Sequence, residues 1–296
     1  MGDFSVARAG SLRTFQGGPK WLSTRAANPF FASPAGWEAS VKVQGLDWIG
    51  TRTSRFRETV TFFEQNLGLS IGVERDDFVR LDLPDSSVVE VFGPEDRDHV
   101  YFTTGPAVGF RVDDLPSARE ELRAHGVELL GSPGGEEGGV QWQHFRAPDG
   151  YVYEVVENPD RVPRGPPLGR VGISHLAWVG TRTPHYEATQ AFFARVLGLE
   201  LFEELDGLAE YRLPDGASVE VFRPGAPLDH PHFSTGPVPG FGVVDLDAAR
   251  DVLESQGIRL LQSKATEQGG WAHFQAPDGY VYEVKGPRGA GGPRSI

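Results

Sequence analysis

Four glutamates, Glu90, Glu154, Glu220 and Glu283, sit inside short β-rich runs where an ionised carboxylate is out of place. Side chains of a strand alternate between faces. Glu90 therefore shares a face with Val88 and Phe92, Glu154 with Val152 and Val156, Glu220 with Ser218 and Phe222, and Glu283 with Val281 and Lys285. A carboxylate on an apolar face costs on the order of several kcal/mol unless it is paired. It needs a metal ion, an Arg or His partner, or a raised pKa. An exposed edge strand or a structural Arg–Glu pair is the competing reading.

The histidines divide by context. His175 lies in Ile-Ser-His-Leu-Ala-Trp-Val, where parity groups it with Ile173, Ala177 and Val179, as a packed core residue or as a ligand. His144 and His273 stand in Trp-x-His-Phe before an Ala-Pro-Asp-Gly turn. An even-length connection there predicts His144 on the face opposite Glu154, in a packing or hydrogen-bonding role. His99, His230 and His232 fall in Pro-rich connectors and read as loop structure, with a swing towards the site as the alternative. Arg52 and Arg182, in two copies of Gly-Thr-Arg-Thr, could pair a substrate anion or stabilise a turn. Trp48, Trp142, Trp178 and Trp271 could wall a pocket for a small molecule.

Other chemistries are excluded. The chain has no cysteine, hence no disulfide, thiolate nucleophile or zinc–sulfur site. A GxSxG elbow, a phosphate loop and a dinucleotide fingerprint are all missing. The net charge of −13 opposes nucleic-acid binding. No apolar run reaches the ~18 residues of a membrane span, and no signal-peptide layout opens the chain, so a cytoplasmic location is expected.

The elements that must position these residues come in copies. WQHFRAPDGYVYEV at 142–155 and WAHFQAPDGYVYEV at 271–284 agree at 12 of 14 positions. GTRT, VEVF and TGP…GF also recur, at offsets of 129–131 residues. Within the first copy a strand at Val43–Ile49 precedes an amphipathic helix through Phe56, Val60, Phe63 and Leu67, closed by Gly68. Short strands follow at Phe78–Leu83 and Val88–Phe92. The order then repeats from Val108, with a second helix starting at Asp-Asp-Leu-Pro and strands up to Tyr151–Val156. The reading is α+β, with four βαβββ units forming two domains, 41–158 and 171–285, each with a curved mixed sheet, and with pairing of units within each domain or crosswise between them left open. A leader over 1–40 and a tail over 286–296 are predicted to be disordered, and the Pro/Gly-rich linker 159–170 to be extended.

Paired βαβββ units, a helix ending FFxxxLGL and a closing PDGYxYE strand resemble the vicinal oxygen chelate superfamily of glyoxalases, bleomycin-resistance proteins and extradiol dioxygenases. The resemblance covers nearly all of 41–285. It implies ligands on the first and last strands of each unit, here Gly45, Glu90, roughly Ala107 and Glu154, then His175, Glu220, roughly Val238 and Glu283. His175, Glu220 and Glu283 would suit one Mn²⁺, Fe²⁺, Ni²⁺ or Zn²⁺ ion in the second domain. The oxygen-activating facial triad, which needs two histidines, is not met. The function expected is a lyase- or isomerase-like enzyme, with Glu220 or Glu283 moving a proton and Arg182, Arg52, Trp178 and Trp48 contacting the substrate. The alternative is a metal-free, ligand-sequestering protein, monomeric or homodimeric.

Overall fold

A computed structural model describes residues 40–233 and 235–289. The expected leader and the end of the tail lie outside these residues. Four βαβββ units follow one another. The first comprises β1 (Val43–Arg52), α1 (Phe56–Thr61), β2 (Ser70–Arg75), β3 (Phe78–Asp82) and β4 (Val88–Phe92). The second comprises β5 (Ala107–Val112), α2 (Leu115–Ala124), β6 (Glu128–Gly135), β7 (Gln141–Arg146) and β8 (Val152–Glu157). The third comprises β9 (Ile173–Arg182), α3 (Tyr186–Ala191), β10 (Glu200–Leu205), β11 (Leu208–Arg212) and β12 (Ser218–Phe222). The fourth comprises β13 (Val238–Val243), α4 (Leu246–Ser255), β14 (Arg259–Ala265), β15 (Gly270–Gln275) and β16 (Val281–Gly286).

The units pair crosswise. Sheet A runs β14-β15-β16-β13-β1-β4-β3-β2, joining the first unit to the fourth. Sheet B runs β10-β11-β12-β9-β5-β8-β7-β6, joining the second to the third. The sequence left within-repeat and crosswise pairing open, and the expected feature that the structure corrects is the curved sheet. Each sheet is an open run of eight strands, not curved round or closed, with its two outermost strands unpaired to each other. The physical reason lies at the seam. The long first strands β1 and β9 each pair antiparallel with the first strand of a unit from the other repeat, with bulges absorbing register shifts. The ladders then grow outward from that seam, so the free edges end up far apart.

Local chemistry accounts for the helices. Asp114 and Asp245 cap α2 and α4 by accepting from the backbone N–H of Ser117 and Ala248. Helices α1 and α3 each pass into a π-helical turn, Phe62–Asn66 and Phe192–Val196. The wider turn lets two consecutive phenylalanines point inward, which a regular helix with one apolar stripe does not do. Phe62 and Phe63 are both buried, and so are Phe192 and Phe193. One continuous hydrophobic core runs through residues of both sheets.

The repeated motifs tie the sheets together. Thr51 of the first GTRT donates to Asp149 in the first Pro-Asp-Gly turn at 2.9 Å, from sheet A to sheet B. Thr181 donates to Asp278 in the return direction at 2.8 Å. The linker is not a free spacer. Arg164 pairs with Asp85 at 3.2 Å and with Asp215, and donates to the carbonyls of Leu46 and Leu176. It thereby holds one turn and one strand of each sheet. Gly68 (φ 81°) approaches Gly169 of the linker so closely that a Cβ would lie 2.5 Å from its Cα. Past β16, Pro287 accepts from the Leu246 N–H and Arg288 pairs with Asp247.

Crosswise pairing has a direct test. After protease cleavage within 159–170, the two halves should remain associated on size exclusion under native conditions and separate only in denaturant. Halves that part without denaturant would contradict the topology.

Candidate functional site

The face of sheet B turned away from the helices carries a cavity of ≈ 580 Å³. Its lining includes His144, Glu154, His175, Glu220 and His230, with Trp142 and Trp178 among the walls. At one end three imidazoles converge. His144, His230 and His232 offer nitrogens that all lie within 4.8 Å of one another. His232 Nε2 is 3.1 Å from His144 Nδ1. Two nitrogens bound at ~2.1 Å and at right angles on one ion would be about 3.0 Å apart, so this spacing fits a shared ion. The other nitrogen of His144, Nε2, is 2.9 Å from Glu154 Oε2. Its N–H direction misses a proper hydrogen bond, leaving that atom buried and unsatisfied. A carboxylate behind a ligating histidine is the usual outer support of a metal site.

Electrostatics point the same way. Burial holds His144 near a pKa of about 3, and burial together with the neighbouring histidines holds His230 and His232 near about 4. All three are neutral at ordinary pH, as a ligand must be. Burial pushes the Glu154 carboxyl far above its usual range. Glu220 is raised to about 8, first by burial and then by Glu154 and Glu210, against a lowering hydrogen bond from Trp178. The site is thus rich in groups that a cation would satisfy. The donor set fits one divalent ion.

The sequence profile of the Glyoxalase/Bleomycin resistance protein/Dioxygenase superfamily matches residues 45–155 and 172–284. The chain belongs to this superfamily. No curated protein matches the sequence. Among solved structures, a candidate dioxygenase from Bacillus subtilis subsp. subtilis str. 168 aligns with a TM-score of 0.62 at 15% identity, covering 84% of this chain and 86% of that one. Glyoxalase I from Zea mays aligns with a TM-score of 0.57 at 17% identity, covering 81% and 92%. A mutant of the same maize enzyme gives 0.59 at 18% identity, covering 81% and 92%. At these identities the likeness establishes the fold.

Against the superfamily pattern, the structure regroups the expected site residues. His175 and Glu220 line the same cavity, but Glu283 stands on β16 in sheet A and does not join them. Beside the paired strands, Glu220 lies level with Gly180, and the Trp178 ring folds over that glycine. His175 lies further back, where Arg164, Arg111 and Arg161 add to burial in lowering its pKa to about 3. Such surroundings repel a cation. Arg52 and Arg182 are committed elsewhere. Arg52 donates to the carbonyls of Asp96 and Pro94, and Arg182 pairs with Asp229, so each holds the connector that carries the loop histidines. Trp178 lines the cavity, whereas Trp48 is its counterpart in sheet A.

For the three residues of the triad the sequence reading favoured other roles. The turn holds five residues, not four, because β7 ends at Arg146 and β8 begins at Val152. His144 therefore pairs directly with Glu154 on the same face. His230 and His232 are carried to it by the connector that Arg182 and Asp229 fix. The available signal was a difference between the repeats, since His232 stands where the first copy has Tyr101.

Sheet A holds the matching arrangement in filled form. His273 Nε2 is 3.0 Å from Glu283 Oε2. In place of His232, the Tyr101 oxygen sits 2.8 Å from His273 Nδ1 and its hydroxyl donates to Gln262 at 2.9 Å. Gln262 faces His273 across the strands, whereas Leu130 faces His144. His99 is tethered to Asp96 at 2.9 Å. A phenol and an amide thus occupy the positions where sheet B has the His232 imidazole and Leu130. Burial raises the Glu283 pKa well above the usual range. A carboxyl raised on folding loses stability as pH climbs through and above its unfolded value near 4.3. Glu283→Gln should therefore melt at the same or a higher temperature, with a gain that grows from pH 5 to pH 8 and ignores chelator. A lower, chelator-sensitive melt would assign the metal to sheet A instead.

Proposed function

We propose that the chain is a small-molecule enzyme of the vicinal oxygen chelate type, in the lyase or isomerase class. It works in the sheet B cavity with one divalent ion held by His144, His230 and His232. The observation that carries this reading is the convergence of three neutral imidazoles at the end of an aromatic-walled cavity in one sheet, where the other sheet has a tyrosine. Bound there, such an ion supplies Lewis acidity toward vicinal oxygens of a substrate. The chain's own residues do the remainder. Glu154 stands 2.9 Å behind His144 Nε2, on the side away from the triad. Glu220, on the cavity wall with its pKa raised to about 8, can hold a proton and pass it at neutral pH. Trp178 orients Glu220 and closes one wall against water. Three imidazoles differ from the two-histidine, one-carboxylate set of oxygen-activating iron, which favours proton-transfer chemistry over dioxygenation.

Metal analysis of untagged protein tests this. The expected result is close to one divalent ion per chain, with Glu220→Gln retaining it. Protein with no ion after reconstitution would favour the metal-free sequestering role, and two ions of equal affinity would contradict the inequality of the sheets.

A further inference from the structure

The end of the cavity away from the histidine triad has a chemistry of its own. Arg111, on the central strand β5, is only 5% exposed and lines the cavity. Its Nη2 donates to the carbonyl of Asn158 at 3.0 Å and lies 3.7 Å from Asp113. Its Nε and Nη1 are buried with no partner at all. A guanidinium buried with two donors unmet is costly, and the cavity is where a partner could enter. Arg111 stands opposite His175 in the strand register. Arg161 also reaches this end, held by a loose 3.6 Å contact to Glu210.

The duplication supplies the control. In sheet A the same register pair is Gly45 opposite Gly242. Acidic groups lean over both glycines: a Cβ at Gly45 would lie 2.3 Å from Asp215 Oδ2, and one at Gly242 would lie 2.7 Å from Asp47 Oδ2. The same place therefore carries an arginine in sheet B, whereas in sheet A it is a pair of glycines approached by Asp215, which Arg164 pairs, and by Asp47, which lies 3.9 Å from Lys285. The cationic end and the histidine triad occur together, in one of the two sheets. Along β8, Val156 pairs with Arg111 while Glu154 faces His144. The two ends are thus offset by two residues along the strand direction, roughly 7 Å, and by two strand spacings across the sheet, roughly 10 Å, because β8 lies between β5 and β7.

We infer that Arg111, assisted by Arg161, forms an anion subsite for a carboxylate on the substrate, whose other end is presented to the histidine triad. The substrate class is a small carboxylic acid with an aromatic or aliphatic body and oxygen functions at the end remote from the acid. This rests on the proposed function for the role of the triad, but not for the anion site.

The test uses full-length, chelator-treated protein, so that it is independent of metal. Benzoate and its neutral isostere benzamide are titrated by calorimetry. The expected result is benzoate binding at least about tenfold tighter than benzamide, a preference abolished in Arg111→Gln and kept in Arg111→Lys. Arg161→Gln, nearer the surface, should weaken benzoate alone and guards against a misfolded Arg111 variant. Equal binding of the two probes, no binding of either, or a preference that survives Arg111→Gln would overturn the inference. Benzoate selectivity in a protein that takes up no metal would sink the proposed function and leave this subsite standing. Metal uptake without benzoate selectivity would do the reverse.

Discussion

His232→Tyr should abolish divalent-metal binding at the histidine triad while leaving the fold intact. Tyrosine is what the first repeat places at this position, as Tyr101, and that copy packs it beside His273 within the same architecture. The substitution therefore converts the triad into its sheet A counterpart. A phenol with a pKa near 10 does not replace a neutral imidazole as a ligand at neutral pH. Metal affinity should fall by at least about 100-fold, beyond what loss of an outer support would cause. In thermal melts, the stabilisation that added metal gives the wild type should vanish, with little change in the chelated protein. Undiminished binding would show that the ion is held without His232.

Arg164→Met should be among the most destabilising single changes in the described residues. The substitution leaves Asp85 and Asp215 without their guanidinium, and the Leu46 and Leu176 carbonyls lose a donor. Asp85 and Asp215 are 7% and 15% exposed in their side chains, and Arg164 is 23% exposed. Removing one member of a buried ion pair costs about 3–5 kcal/mol, and the partial exposure argues for the lower end. Urea unfolding should show the loss. Adding Asp215→Asn to the variant should restore part of it, because one stranded charge is removed and the coupling between neighbours is not additive. A loss below about 1 kcal/mol would mean that the two sheets hold together without this clamp.

The sequence made the four units legible because their apolar periods and turns are local. It also made the duplication plain, since the offsets hardly vary. Unit partnership was not legible. The antiparallel seam between β1 and β13 uses backbone hydrogen bonds, and either repeat offers equally apolar first strands. Of the glutamates singled out, Glu154 and Glu283 are buried and Glu90 and Glu220 half-buried, but their grouping depended on the seam: Glu154 meets Glu220, and Glu90 meets Glu283. His144 was placed on the wrong face because one residue of turn length, Tyr151, was counted into the strand, and a strand's period of two turns such an error into a reversal. In sequence, GTRT offers arginines for a substrate anion or a turn, and APDG reads as a turn. Their Thr51–Asp149 and Thr181–Asp278 bonds show that they join the sheets.

The seam also governs how the chain is made on the ribosome. Val43 of β1 pairs with Val243 of β13, so an early strand waits for one about two hundred residues later. At ~5–20 residues per second, β1 must spend roughly 10–40 s as an uncovered edge during synthesis. The second and third units meet first, so sheet B can assemble while sheet A is still missing half its strands. Nascent chains halted before residue 238 should therefore carry a formed histidine cavity beside an open, adhesive β edge, the kind of surface on which chaperones act and from which swapped dimers arise.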